Sequence, residues 1–272
     1  MKKIRLALVS LIVVTLSVCG CRNKVIEDRA ECDATICLRT QDNIQGISAS
    51  GKSIYLRIFD SGMIGESSSV SPETLKEGVI VMRPKNSVMR WSAIANWPGD
   101  ERYWKGGCLN VPNNEVFPKA YAGYRATEVT AEDYQLFDVS LTPLFSEIVV
   151  SVSGTNNADG EVEVVSDFGG LRDPEMEKID GTYKYVTSFD GSIPLTVPNI
   201  RSNAVSLIFR YGGKSYHLSI GDVLHSMGVK FEEKKVSSIK ITYIIMSSVE
   251  INKARIEYEE LSFDCPINSA AF

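Results

Sequence analysis

The sequence predicts an all-β protein with two antiparallel β-sandwiches in tandem. Apolar and polar side chains alternate with a period of two along most of the chain, which places the apolar ones on one strand face. Turn residues recur between these stretches, whereas helical periodicity is limited to residues 72–76 and 221–227. Thr142-Pro143 marks the junction between the sandwiches, because proline lacks the N–H that a central strand needs.

The amino terminus has the features of an export signal. A basic segment at 1–5 precedes an apolar run at 6–18, which is shorter than the roughly 20 residues of a membrane-spanning helix. Residues 18–21, Val-Cys-Gly-Cys, resemble the lipobox of bacterial lipoproteins. In that pattern Gly20 precedes the cut and Cys21 becomes the lipidated first residue. An ordinary secretory signal with incidental cysteines is the alternative.

Removal of this signal leaves an acidic chain. The signal holds three basic residues and no acid, so the formal charge falls from −5 for all 272 residues to −8 for the remaining 252. This charge disfavours nucleic acid and anionic lipid headgroups as partners. The predicted divisions are a signal peptide at 1–20, a lipidated tether at 21–31, an N-terminal sandwich at 32–142 and a C-terminal sandwich at 143–272.

Four segments predict strands of the first sandwich. Residues 54–59 and 88–95 alternate between apolar and polar side chains, and residues 134–141 predict a further strand. Residues 79–82, Val-Ile-Val-Met, form a short apolar run that is predicted to be buried.

The second sandwich begins with the alternating segment at 147–153. The loop at 154–160 is rich in turn residues, so residues 161–165 are predicted to pair back on 147–153 as a hairpin. Residues 239–245 alternate over a longer stretch and predict another strand.

Two further strand pairs follow from turn residues and spacing. Gly212-Gly213 separates the alternating segments 205–211 and 216–220, and two such glycines favour a tight hairpin because the turn requires positive φ. The alternation of residues 256–263 slips at Glu259-Glu260, which predicts one last strand with a bulge.

Residue types that support catalysis or metal binding are scarce. No nucleophile elbow, zinc-protease motif or phosphate loop is present, and the two histidines, His217 and His225, are predicted to be solvated or structural. The sequence therefore predicts no enzyme, no cofactor and no metal site. The exported context permits disulfides, free thiols being the alternative, among four cysteines whose pairing the sequence does not choose: Cys32, Cys37, Cys108 and Cys265.

The tryptophans cluster between residues 91 and 104. Trp97, Tyr103 and Trp104 would stack on sugar rings if their side chains were exposed, because the indole and phenol rings are amphipathic. The other interpretation, which the pattern favours, is that Trp91 fills the first core and that Trp97 and Trp104 cover the end of the sheet. Trp91 alternates in phase with Met89.

The order of these features resembles the FimB/Mfa2-like fimbrial anchor and accessory subunits of Bacteroidales, the fimbrillin-A-associated anchor proteins. The resemblance extends loosely over most of the mature chain. The matching features are the lipobox Cys21, the cysteine-containing first strand at 32–38, the strand SIYLRIFDSGMIGE, the segment 91–96 with its tryptophan, Ala-Tyr-Ala-Gly at 120–123, and the crossover DVSLTPLFSEIVVSV.

The resemblance implies two transthyretin-like β-sandwich domains and no enzymatic activity. It also implies an outer-membrane lipoprotein, palmitoylated at Cys21, whose partners are fimbrial stalk or accessory subunits. Stalk subunits of such systems are cut by an arginine-specific protease. Arg29 and Arg39 are not assigned this role, because arginine is common in loops and strands.

The sequence-based hypothesis is a non-enzymatic, lipid-anchored subunit that anchors or terminates a surface fimbria by strand-mediated docking. Unpaired backbone groups at a sheet edge are satisfied by an added strand, and residues 254–264 are the preferred edge or exchanged segment. An ordinary last strand within the chain is the alternative for that segment. The alternative function is a surface glycan-binding lipoprotein of a nutrient-uptake system.

Overall fold

The structure is a computed structural model that describes residues 32–41, 53–60, 63–154, 159–200, 204–231, 236–247, 250–267 and 269–271. Strands dominate these residues, so the predicted all-β fold class is confirmed. The signal, Cys21, the tether and Arg29 lie outside the described residues.

Within the described part of the first half, ten strands follow one another: β1 (Ala34–Arg39), β2 (Ile54–Asp60), β3 (Met63–Val70), β4 (Val79–Arg83), β5 (Ser87–Ala95), β6 (Trp104–Lys105), β7 (Cys108–Leu109), β8 (Tyr121–Val129), β9 (Tyr134–Asp138) and β10 (Thr142–Pro143). The second half continues with β11 (Phe145–Ser153), β12 (Asp159–Arg172), β13 (Glu177–Asp190), β14 (Ser192–Pro198), β15 (Ser206–Tyr211), β16 (Lys214–Ser219), β17 (Ser238–Ser247), β18 (Glu250–Tyr258), β19 (Leu261–Pro266) and β20 (Ser269–Ala271).

Two short helices form where the sequence predicts them. Helix α1 (Pro72–Glu77) begins after Ser71, whose hydroxyl accepts a hydrogen bond from the Thr74 N–H at 3.1 Å. Helix α2 (Ile220–Ser226) begins after Ser219 in the same way. Each helix buries apolar side chains, so packing holds it despite its length.

The first two sheets enclose one hydrophobic cluster. One sheet has the order β4-β1-β9, with β1 antiparallel to β4 and parallel to β9. The facing sheet has the order β10-β8-β5-β2-β3 and is antiparallel. Ile36, Leu56 and Trp91 lie in this cluster and are almost fully buried, which confirms the core position predicted for Trp91.

The other two sheets enclose a second, larger cluster. One has the order β14-β11-β17-β18-β19 and the other β20-β16-β15-β12-β7-β6, with β13 paired to β12. Phe209 of β15 is buried in this cluster, and its ring lies against Tyr243 of β17 with centroids 4.6 Å apart.

The segment between β5 and β8 packs on the second cluster. Trp97, Tyr103, Leu109 and Phe117 belong to it, and β7 pairs with the end of β12. These contacts join residues of the first half of the chain to the second pair of sheets. The domain boundary at residue 142 stays a prediction.

The hairpin predicted between residues 147–153 and 161–165 is wrong. β11 pairs with β14 and β17, whereas β12 pairs with β13 and β15 in the opposite sheet. Both segments have one apolar face, and this pattern reports the face that each strand buries, not its neighbour. The hairpin predicted around Gly212-Gly213 is confirmed as β15 and β16, and both glycines have positive φ.

The last predicted strand is two strands. Residues Glu259-Glu260 form a turn and not a bulge, because Glu259 adopts φ 53° and the chain reverses there. β19 then lies antiparallel to β18, with Ile256 opposite Phe263.

Candidate functional site

The segment predicted as an edge, residues 254–264, contains an actual sheet edge. β19 is the terminal strand of its sheet and pairs on one side with β18. Among the described residues no strand pairs with its other side, so its outer backbone groups are available to an added strand.

The apolar side chains of this edge are incompletely covered. Leu261 and Phe263 lie opposite Tyr258 and Ile256, which are buried, so all four side chains share the core-facing side of the sheet. Nevertheless Leu261 is 47% and Phe263 37% exposed, because both lie at the margin of the core. An incoming strand would cover both side chains as well as pair with the backbone.

The opposite face of β19 is held to β18 by ion pairs. Asp264 accepts hydrogen bonds from Arg255 Nε at 2.9 Å and Lys253 Nζ at 3.0 Å. Hydrogen bonds from these two cations lower the pKa of Asp264 to about 2. The ion pairs are complete above the ordinary carboxyl pKa and are lost as the pH falls through about 2, but their side chains are largely exposed, so they contribute little to stability.

A second exposed surface lies on the outer face of the β4-β1-β9 sheet. The register places Met82, Thr35 and Tyr134 in one row across the three strands, and Ile80, Cys37 and Leu136 in the next. The four outer apolar side chains are 43–57% exposed: Ile80, Met82, Tyr134 and Leu136. We call these six residues the sheet-A patch.

The sequence does not indicate the sheet-A patch. The run 79–82 is predicted to be buried throughout. In the structure Val81 is buried in the core, whereas Ile80 and Met82 face outward. In β9 the polar Gln135 is buried, and its amide is satisfied by backbone groups of Thr130 and Glu132. The strict alternation of side chains then directs its apolar neighbours outward.

Gly78 follows helix α1 and packs closely against Cys37 of this sheet. Its φ of 113° is unfavourable for other residues, and an added Cβ would lie 2.4 Å from Cys37 Sγ. Cys37 itself is buried between its neighbours in the patch.

The aromatic residues predicted for glycan stacking are mostly interior. Trp97 and Tyr103 are buried, and the Trp97 indole donates a hydrogen bond to the Tyr103 carbonyl at 3.2 Å. Their ring faces are therefore not available to a sugar. Trp104 is half-buried, and the Arg57 guanidinium lies over its ring, 4.9 Å from the centroid.

Trp104 borders a groove of about 300 Å³ that the sequence did not indicate. Tyr55 is 41% exposed there, and Ser67 and Ser69 on β3 lie beside Arg57 and Tyr55 of β2. The groove thus places serine hydroxyl groups beside two rings that combine an apolar face with a polar edge. A second cleft, of about 430 Å³, lies where β8 meets the turn between β12 and β13.

The remaining predicted residues do not form a shared site. Cys32, Cys37, Cys108 and Cys265 are all free thiols in the structure, and a disulfide among them stays a prediction. His217 and His225 are exposed. Arg39 is the last residue of β1 and pairs with Asp138 of β9. Over the described ranges no group of three or more metal-ligating side chains occurs, and no helix is long and apolar enough to cross a membrane.

These features define an all-β protein whose exposed features are strand edges, an apolar sheet face and shallow grooves. No protein-family model matches the sequence, and no curated protein matches it. Solved structures do share the fold. The fimbrial anchor protein Mfa2 of Porphyromonas gingivalis superposes with a TM-score of 0.61 at 12% identity, over 84% of this chain and 98% of that chain.

Two structures from Bacteroides species superpose on this chain about as well as Mfa2 does. A candidate adhesin from Bacteroides ovatus has a TM-score of 0.61 at 12% identity, covering 86% of this chain and 95% of that chain. A candidate polysaccharide-binding protein from Bacteroides thetaiotaomicron has a TM-score of 0.57 at 12% identity, covering 84% and 96%. The resemblance to the FimB/Mfa2-like proteins is thus confirmed at the level of the fold.

Proposed function

We propose that this chain is a lipid-anchored, non-enzymatic subunit of a cell-surface fimbria. It anchors or terminates the polymer at the outer membrane and docks a neighbouring subunit at the open edge of β19. The observation that carries the proposal is the fold shared with a fimbrial anchor over nearly all of that protein's length. The lipobox at residues 18–21 supplies the attachment, since each buried acyl CH₂ contributes about 0.8 kcal/mol to membrane binding.

The lipid anchor is tested by Cys21→Ala. We expect this variant to lose palmitate labelling, to leave the membrane fraction and to release fimbriae into the medium. Cys19→Ala is the matched control, because it removes the neighbouring cysteine and keeps Val18, Gly20 and Cys21 of the lipobox. Fimbriae that stay on cells carrying the unlipidated variant would contradict the anchoring role.

The docking edge is tested by the double variant Leu261→Lys/Phe263→Lys. Charged side chains at an edge oppose strand addition, so co-purification of the fimbrial partner should fall strongly. Thermal unfolding should change little, because both side chains are already partly exposed. The control is Val88→Lys, which adds a charge at an exposed position on β5, away from β19. Unchanged co-purification of the partner by the double variant would exclude this edge as the docking site.

The alternative function is glycan binding by a surface lipoprotein of a nutrient-uptake system. The groove lined by Tyr55 and Trp104 supports it, as does the similar fold of a candidate polysaccharide-binding protein. The two functions differ in the first experiment: a glycan-binding lipoprotein would leave the membrane in the Cys21→Ala variant without any release of fimbriae.

A further inference from the structure

The sheet-A patch is an apolar surface on the outside of the fold. Its four large side chains occupy two adjacent rows across β4, β1 and β9, and Thr35 Oγ1 lies 3.4 Å from Met82 Sδ within one row. Their inward-facing neighbours, Ile36 and Val81, belong to the hydrophobic core. The sheet thus buries one face and leaves an apolar area on the other, and such exposed areas mark interaction surfaces.

The position of the patch along the chain limits what can cover it. It begins at Thr35, the second residue of β1, and β1 is the first strand after the proposed tether at 21–31. Fourteen residue steps separate Cys21 from Thr35, and fully extended they reach about 50 Å at most. If Cys21 is lipidated, the patch therefore stays within this distance of the bilayer at all times.

The size of the patch disfavours a protein partner as its main occupant. Three strands lie about 4.8 Å apart and the two rows about 7 Å apart, so the footprint is a few hundred Å² at most. A stable protein interface buries about 800 Å² on each partner. A bilayer has no such requirement, because the lipid anchor already supplies attachment and the patch needs only to add contact.

The chemistry of the patch and of its borders suits a lipid surface. Tyr134 has the amphipathic ring that is enriched where proteins meet the lipid headgroups. In the next row Arg39 lies beside Asp138, and at the other end Lys85 forms an ion pair with Asp133. The exposed Asp33 and Glu132 lie two residues before Thr35 and Tyr134, so this end of the patch is net negative, which a zwitterionic bilayer tolerates and an anionic one does not.

We infer that the sheet-A patch rests on the membrane to which the chain is tethered, with Ile80, Met82, Tyr134 and Leu136 in the interfacial region. This inference rests on the proposed lipid anchor. The contact orients the first pair of sheets with the β4-β1-β9 sheet towards the bilayer. The facing sheet, β10-β8-β5-β2-β3, then points away from the membrane.

The test uses the full mature chain with an N-terminal polyhistidine tag in place of the lipid, bound to phosphatidylcholine vesicles that contain a nickel-chelating lipid. Tyr134→Trp places a reporter in the patch, and Val88→Trp places one at an exposed site on the facing sheet. Brominated acyl chains should quench the added emission of Tyr134→Trp and leave that of Val88→Trp unchanged. A further Leu136→Ser change should reduce the quenching.

Equal or absent quenching at the two positions would overturn the inference. Loss of fimbrial capture in Ile80→Ser/Leu136→Ser without vesicle quenching would assign the patch to a protein partner and would overturn it as well. Because the tag replaces the lipid, these outcomes do not depend on acylation of Cys21. Failure of the lipid anchor is recognised separately by the palmitate labelling of the native chain.

Discussion

Replacing Phe209 with alanine should lower the free energy of unfolding by about 3–5 kcal/mol. Phe209 is fully buried in the second cluster, and its ring contacts Tyr243 at 4.6 Å and Phe189 at 5.5 Å between centroids. Alanine would leave a cavity among these rings and would remove the aromatic contacts. Urea unfolding followed by near-UV circular dichroism measures the change.

Phe263→Ala is the matched control for this prediction. The chemical change is identical, but Phe263 is 37% exposed on the edge strand β19, so little new cavity forms. We expect a loss of less than about 1 kcal/mol there, in line with substitutions away from a packed core. Equal losses for the two variants would contradict the packing assigned to Phe209.

Removing the Arg57 side chain should cost about 3 kcal/mol, at the lower end of the range for a broken buried ion pair. Arg57 of β2 donates to Asp173 in the turn between β12 and β13, and the two side chains are 11% and 7% exposed. Burial raises the pKa of Asp173, and the charge of Arg57 opposes this shift. In Arg57→Met the carboxylate would remain buried without its cation, and its pKa would rise further.

The double variant Arg57→Met/Asp173→Leu distinguishes the free energy lost by burying an unpaired charge from the free energy lost by changing side-chain packing. Replacing both partners with apolar side chains should recover most of the lost stability, because no unpaired charge is then buried. Arg102→Met serves as a surface control, since the ion pairs of Arg102 with Asp100 and Glu115 are largely exposed and should contribute little. Urea midpoints that are no higher for the double variant than for the single one would contradict this account. The result would also show how strongly this contact joins the two halves of the chain.

The candidate site was predictable only in part. The alternation of residues 254–264 places an apolar strand near the chain end, and β19 does form a sheet edge. The turn at Glu259 was not predictable, because glutamate seldom adopts positive φ and the two residues look like a bulge in the pattern. The buried state of Trp97 likewise depends on its contact with Phe117, which lies twenty residues further along the chain.

The outward orientation of the side chains in the sheet-A patch was also not predictable from the sequence. Tyr134 and Leu136 alternate as core residues would, yet the buried member of β9 is Gln135. Its amide is acceptable inside because Thr130 and Glu132 supply backbone partners, and those partners exist only after the chain has turned into β9. A pattern of residue types does not contain this information.

The sequence by itself determined the all-β class, most strand positions, both helices and the glycine hairpin between β15 and β16. These features depend on periodicity and turn residues, both of which are local, whereas lipidation at residues 18–21 stays a prediction. Only the tertiary structure decided which strands pair, which face of each strand is buried and which edges stay open. β11 and β12 belong to opposite sheets, and β19 forms an edge, because pairing and burial depend on side chains that are far apart in the sequence.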